Sequence, residues 1–241
     1  MKGSRLVVLL AAVAAAALTA RLGMWQLDRA AQKNALQAAL DERRALPPLR
    51  SDALARSEAE AASQHHRTVH LRGHWAVDAT VYLENRQMTG RPGFYVVTPL
   101  VLADGSAVAV QRGWLPRDSD DRTRIAIPAT PSGELEVSGR VAPPPARLYE
   151  FDGAAPGPIR QNLDLAAWAI ETRLALKPLS VLQEDGATAA ADGLLRQWPA
   201  PAAGVYKHHG YAFQWFALSA LIVGLYVWFQ LIRPQRQRRT G

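Results

Sequence analysis

Two apolar stretches, one at each end of the chain, constrain whatever folds between them. The first runs from Leu6 to Ala20 and continues through Leu22-Gly23-Met24-Trp25, and the second runs from Tyr211 to Ile232, 22 residues without a charge. In helical form the second covers about 33 Å, enough to cross a hydrocarbon core of about 30 Å. Everything between reads as water-soluble. The sequence therefore predicts a tail at 1–5, a span at 6–25, a soluble domain at 26–182, a linker at 183–206, a span at 207–232 and a basic tail at 233–241.

The flanks set an orientation. Lys2 and Arg5 precede the first span, and Arg233, Arg236, Arg238 and Arg239 follow the second, with no acid in either tail. Short basic flanks stay in the cytoplasm, so both termini are expected there and the domain on the far side. Trp25, Tyr211 and Trp215 then fall near the outer interface, and Tyr226 and Trp228 near the inner one, as aromatic belts do. The first stretch also reads as a cleaved signal peptide, with Leu6–Leu18 as its apolar region and Leu18-Thr19-Ala20 as its cleavage site. Against cleavage, the apolar run continues to Trp25, with Arg21 able to snorkel.

A pI of 10.1 suggests nucleic acid until the charges are placed. The tails hold six of the 28 basic residues and none of the 21 acids, so the stretch from Leu6 to Ile232 is balanced to within one charge. The excess orients the chain and can meet anionic lipid; it makes no nucleic-acid surface. With no cysteine, disulfides, thiol redox chemistry and thiolate-ligated metals are excluded.

Helix formers from Asp28 to Ala45, stopped by Pro47-Pro48, continue the first span outward as a helix. A second short helix is expected at Ser51–Ser63. Strand alternation begins at Val69, Leu71 and Trp75 against His70, Arg72 and His74. Further strands are expected at Ala79–Leu83, Gly93–Leu102, Ser106–Trp114, Glu134–Val141 and Leu179–Leu182, with Asp104-Gly105 turning a hairpin. A helix is expected at Asn162–Leu174, capped by Asn162 or Asp164. From Gln183 to Gly204 the composition is that of a mobile linker. The fold class is α+β: an antiparallel sheet or partial barrel with flanking helices, between two terminal transmembrane helices.

No phosphate loop, His-Glu-x-x-His or nucleophile elbow is present, and nothing argues for an enzyme. Histidines carry the chemistry. His66, His70 and His74 share parity, with His65 beside them, and on one strand face could hold a metal. That face also carries Arg72, which favours a solvated surface instead. His208 and His209 precede the second span, with His208 on one stripe with Ala212, Trp215 and Ser219. A small residue and then an aromatic beneath an imidazole suit a porphyrin slot with histidine as axial ligand; an interfacial histidine is the alternative. Gln214, an amide in hydrocarbon, calls for a partner on the other span.

Three motifs, in order, carry a resemblance. Leu22-Gly23-Met24-Trp25-Gln26-Leu27-Asp28-Arg29 with Lys33, then Gly93–Leu100 with Gln111-Arg112-Gly113-Trp114-Leu115-Pro116, and His208–Phe216 together resemble the Surfeit locus protein family (Surfeit/Shy type), assembly factors of cytochrome c oxidase. Gln32 stands where that family often has Trp, His209 where it often has Leu, and Gln111 where Asn is common. The resemblance implies a bacterial inner-membrane protein that binds haem a and helps it reach the oxidase core subunit, with haem a synthase as a further partner. It implies His208 as iron ligand, with His209 as alternative, and Trp25, Tyr211 and Trp215 at the macrocycle. Arg29 and Lys33 would lie at the propionates, and Arg112 either makes a functional contact or is structural. A haem-free scaffold holding oxidase subunits is the other reading; an anchored hydrolase would need a nucleophile the sequence lacks.

Overall fold

The computed structural model describes residues 2–118, 120–121, 125–149, 157–186, 192–199, 204–233 and 235. Its elements in order are α1 (Lys2–Ala45), α2 (Glu58–Gln64), β1 (Thr68–Trp75), β2 (Val81–Met88), β3 (Arg91–Leu102), β4 (Ser106–Pro116), β5 (Leu135–Ala142), β6 (Ile159–Arg160), α3 (Leu165–Thr172), β7 (Ala175–Gln183) and α4 (Val205–Tyr226). They form two compact units, Leu40–Pro199 and, from the chain ends, Met1–Ala39 with Ala200–Gly241.

In the first unit five strands close on themselves. β1 pairs with β5, β5 with β7, β7 with β4, β4 with β3, and β3 returns to β1. Every pairing in that ring is antiparallel except β4 with β7. Closure is possible because β3 divides one edge: Leu100–Leu102 pair with β1, whereas Arg91–Val97 pair with β2. β6 adds two parallel residues outside β2. The expected α+β architecture is thus a closed barrel with an outlying flap, and closure removes the ring's open edges.

Alternation decides which residues fill the ring. Val69, Leu71, Leu100, Leu102, Val108, Val110, Val137, Val141, Leu179 and Val181 form one buried core with Leu49 and Leu54. A second core sets Val81, Leu83, Val97 and Ala109 against Leu163, Leu165 and Trp168 of the α3 region. β4 is buried at every position from Ala107 to Leu115, which is why its sequence runs apolar without a clean period. The β3–β4 turn follows from Asp104-Gly105. Gly105 takes φ 79°, and the Asp104 carboxylate accepts from the Ser106 N–H at 3.0 Å and the Ser106 hydroxyl at 2.6 Å. Those two bonds hold the Asp104 carboxyl below its usual pKa.

Some elements differ from expectation. Ser51–Ser63 is not one helix but a 3₁₀ turn at Ser51–Ala53 followed by α2. Leu54 and Ala55 are pulled into the core between them, and the Ser57 hydroxyl accepts from Glu60 N while the Glu60 carboxylate accepts from Arg56 N, which starts the helix afresh. α3 is shorter than expected. Asp164 caps it by accepting from Ala167 N at 3.0 Å, and Arg173 at φ 57° ends it. Asn162 instead bonds both backbone groups of Leu148. Residues 192–199, expected within a mobile linker, pack on the barrel. Leu195 exchanges both backbone hydrogen bonds with Trp114, at 2.7 and 2.9 Å, and Leu194 is buried. Trp198 donates to the Gln183 carbonyl at 2.7 Å.

The second unit holds two helices long and apolar enough to cross a membrane, within Leu6–Ala45 and Val205–Ile232. α1 runs unbroken from the first apolar stretch into the polar segment. α4 widens into π-helical turns at Val227–Ile232. Arg236, Arg238 and Arg239 of the basic tail lie outside the described residues.

Candidate cofactor site on the terminal helices

α1 and α4 lie antiparallel, as three contacts along them establish. The Ser219 hydroxyl donates to the Ala16 carbonyl at 2.9 Å. The Phe216 ring sits over Gly23 so closely that a Cβ there would meet it at 2.8 Å. His208 Nδ1 and Gln26 Oε1 are 2.7 Å apart. The contact face of α1 is built from small residues at helical spacing, Ala12, Ala16, Thr19 and Gly23, which let two backbones approach. Toward the far ends of the two helices lies an apolar groove of about 360 Å³ lined by Ala12 and Ala16 of α1 and by Val223 and Tyr226 of α4.

Periodicity placed His208, Ala212, Trp215 and Ser219 on one stripe, and these, with Phe216, are the half-buried or buried positions from His208 to Ser219. Ala212 is 2 % exposed, so the surface below the imidazole is closed at that residue. His209 and Tyr211 face outward, and Trp25 is 49 % exposed. Arg29 is exposed and donates to Gln32 Oε1 at 2.9 Å, while Lys33, seven residues beyond Gln26, is half-buried. The structure thus joins His208 to the Gly23–Gln26 segment and leaves Trp25 and Arg29 on outward faces of α1.

The partner amide is also not the expected one. Gln214 is exposed, and Gln26 is the amide that reaches the other helix. Helical phase accounts for this, because Gln214 lies about 200° around the helix from Ala212, away from the buried stripe.

The other candidate clusters resolve into structure. His66 precedes β1 at φ 72°, so it does not share a strand face with His70 and His74. His70 bonds the Ser138 hydroxyl at 2.9 Å, and both His70 and His74 are exposed. Among the described residues no group of three or more His, Asp or Glu is placed to hold a metal ion. Burial, with the Arg43 charge nearby, pushes the His65 imidazole down in pKa, and His66 shifts the same way. Arg112 is buried. It lies 3.6 Å from Asp192, donates to Thr130 Oγ1 at 2.6 Å and to the Ala129 carbonyl at 3.0 Å, and covers the Trp75 ring. Asp192 also pairs with Arg196, and all three charged groups are almost wholly enclosed. Burial lowers the Arg112 pKa and Asp192 opposes that shift. This cluster fastens residues 192–199 to β4, which gives Arg112 a structural role.

The model of the SURF1 family matches residues 13–220, a stretch that contains both Gln26 and His208. The chain is similar to a SURF1-like protein of Rickettsia bellii, 28 % identical over 209 residues that cover 85 % of this chain and 83 % of that protein. It is similar also to a SURF1-like protein of Rickettsia felis, 26 % identical over 211 residues, 86 % of this chain and 89 % of that one.

Proposed function

This chain belongs to the SURF1 family of cytochrome oxidase assembly factors, and on that premise we propose that it holds haem a at the terminal helices and aids its passage to the oxidase core subunit. The observation that carries the reading is the state of His208. Its Nδ1 is engaged by an amide oxygen, and its Nε2 makes no hydrogen bond among the described residues. An imidazole bound on one nitrogen and open on the other has the chemistry of an axial ligand.

Haem a, when bound, would supply an iron that the Nε2 lone pair of His208 could ligate. His208 is the ligand in this reading, with His209 as its alternative. Trp25, Tyr211 and Trp215 present aromatic surface for a macrocycle at the membrane interface, where amphipathic rings settle. Arg29 and Lys33, on the polar continuation of α1, offer cations to propionates. The basic flanks support a bacterial inner-membrane protein with both termini cytoplasmic and the barrel outside. The barrel is then the face for the oxidase core subunit or a haem a synthase.

One observation favours a second reading, a haem-free scaffold for oxidase subunits. The His208–Gln26 bond is by itself a sufficient polar link between two spans.

A reduced pyridine-haemochrome spectrum decides between them. The full chain is made in cells that produce haem a, purified in mild detergent, and compared with His208→Ala and His209→Ala. Haem a in the wild type and the His209 variant, lost from the His208 variant, is the expected result. Loss only in the His209 variant moves the ligand by one residue. No haem in any folded sample leaves the scaffold.

A further inference from the structure

We propose that Gln26 is the positioning residue of the His208 site, selecting the imidazole tautomer that leaves Nε2 as a lone-pair donor. The inference rests on the reading of His208 as a haem ligand. A neutral imidazole carries one N–H, and which nitrogen bears it depends on what the ring's neighbours accept. Gln26 Oε1, an acceptor without a proton, stands 2.7 Å from Nδ1. A proton on Nδ1 makes that contact a hydrogen bond, whereas a proton on Nε2 would set two lone pairs against each other; in the first case Nε2 keeps the lone pair an iron needs.

The choice of an amide has consequences of its own. In a low-dielectric setting the bond is stronger than it would be in water. A carboxylate there would draw the Nδ1 proton further and make the ring a more basic ligand; a neutral amide orients it with a weaker pull. The two residues are 182 positions apart, one on each terminal helix, so the ligand is ordered only while the spans stay docked. Nearby, Phe216 over Gly23 and Ser219 on Ala16 hold that docking without touching the imidazole. Separation of the spans would free the ring to turn and break its bond to the iron, which gives the site a way to let go of the haem.

The test uses the full chain in detergent and compares wild type with Gln26→Leu, Gln26→Glu and His208→Ala. In the haem-free protein at mildly alkaline pH, ¹⁵N shifts of His208 should report the Nδ1–H tautomer. They should move toward Nε2–H in Gln26→Leu. In the haem-loaded protein Gln26→Leu should weaken haem a binding by about 10- to 100-fold, the usual cost of losing such an outer partner. Gln26→Glu should retain haem and shift its midpoint potential to more negative values, because a more basic ligand favours ferric iron. If Gln26→Leu fails to fold, the potential of Gln26→Glu and the wild-type tautomer still decide.

An Nε2–H tautomer in the wild type overturns the proposal. So do unchanged affinity and potential in both Gln26 variants while His208→Ala loses haem a; that outcome leaves the carrier reading standing. Retention of haem a by His208→Ala overturns both.

Discussion

The barrel and the helix pair each hold together segments far apart in sequence, and they do so with opposite chemistry. The barrel is surrounded by water, so the area taken from water stabilises it, at roughly 25 cal/mol per Å². Its valines and leucines need only the right parity and volume. Among the charges buried in that unit, Arg112, Asp192 and Arg196 form an ion-paired cluster, and this cluster fastens a segment whose composition alone would leave it loose. The helix pair in lipid has no such driving force, because acyl chains are as apolar as leucine. Its seam relies on small residues and on two polar links, Ser219 to Ala16 and His208 to Gln26. In water the apolar residues set the fold and the polar ones make a local lock; in the membrane small size sets the approach and the polar ones set the register.

The largest effect tests the lock. Asp192→Ala leaves two enclosed guanidinium groups facing each other without their shared carboxylate. Removing one partner of a buried ion pair costs about 3–5 kcal/mol. Hydrogen exchange of the β4 amides and of Leu195, measured on the full chain in detergent, should quicken accordingly, with early proteolysis within 192–199. Exchange unchanged within error would mean that the Trp114–Leu195 backbone pairing suffices without charge, and the barrel would then need no polar lock.

Two glycines compare the units directly. A Cβ at Gly113 would lie 2.6 Å from the Leu194 Cβ and 3.0 Å from the Leu195 carbonyl oxygen. Neither atom can rotate away, so Gly113→Ala should cost about 1–3 kcal/mol, as overpacking does. At Gly23 the obstacle is the far end of the Phe216 side chain, which can swing toward lipid. Gly23→Ala should cost less, with its signature in weakened NOEs between residue 23 and the Phe216 ring. Equal costs would mean that the membrane seam is packed as rigidly as the barrel.

What the sequence disclosed follows the same division. Strand parity at Val69, Leu71 and Trp75, the Asp104-Gly105 turn and the two apolar ends were legible because each is a local pattern with a period or a required φ. The closure of β3 onto β1 was not, since it depends on one strand dividing its edge between two partners. Nor was the role of residues 192–199. Their alanine, proline and glycine surroundings signal a linker, and the counter-signal is only an acid four residues before Arg196 with Leu194, Leu195 and Trp198 around it. The buried stripe of His208, Ala212, Trp215 and Ser219 on α4 was legible from its spacing. The Gln26 partner of His208 was not, because choosing among amides on two helices requires their rotational phases, which the three-dimensional structure supplies.

A smaller effect depends on pH. His65 and His66 have folded-state pKa values pushed down by burial, so the folded barrel unit binds fewer protons than the unfolded chain. Stability should therefore decline as pH falls below the unfolded histidine value of about 6.5, and level off below the folded pKa values. Both rings are only half-buried, and solvent screening keeps the effect modest. Denaturant midpoints across that range should lose this slope in His65→Gln/His66→Asn, where Asn tolerates the φ of 72° at position 66. A slope that survives the double substitution would assign it to other groups.

The smallest effect bears hardest on the claim that size, rather than hydrogen bonding, sets the approach of the spans. Ser219→Ala removes the hydroxyl that donates to the Ala16 carbonyl at 2.9 Å. That carbonyl also accepts from Thr19 Oγ1 at 3.0 Å, so it keeps a side-chain partner and leaves no bare acceptor in hydrocarbon. The loss should be near the average for such bonds in membranes, about 0.6 kcal/mol. Unfolding of the helix pair in micelles, followed by exchange at the amides from Ala16 to Gly23, would measure it. Ser219→Leu, which keeps no donor and adds bulk at the seam, should cost clearly more. If the two variants cost the same, the lost polar link and not the small-residue seam holds the spans together, and the contrast between the two units reverses.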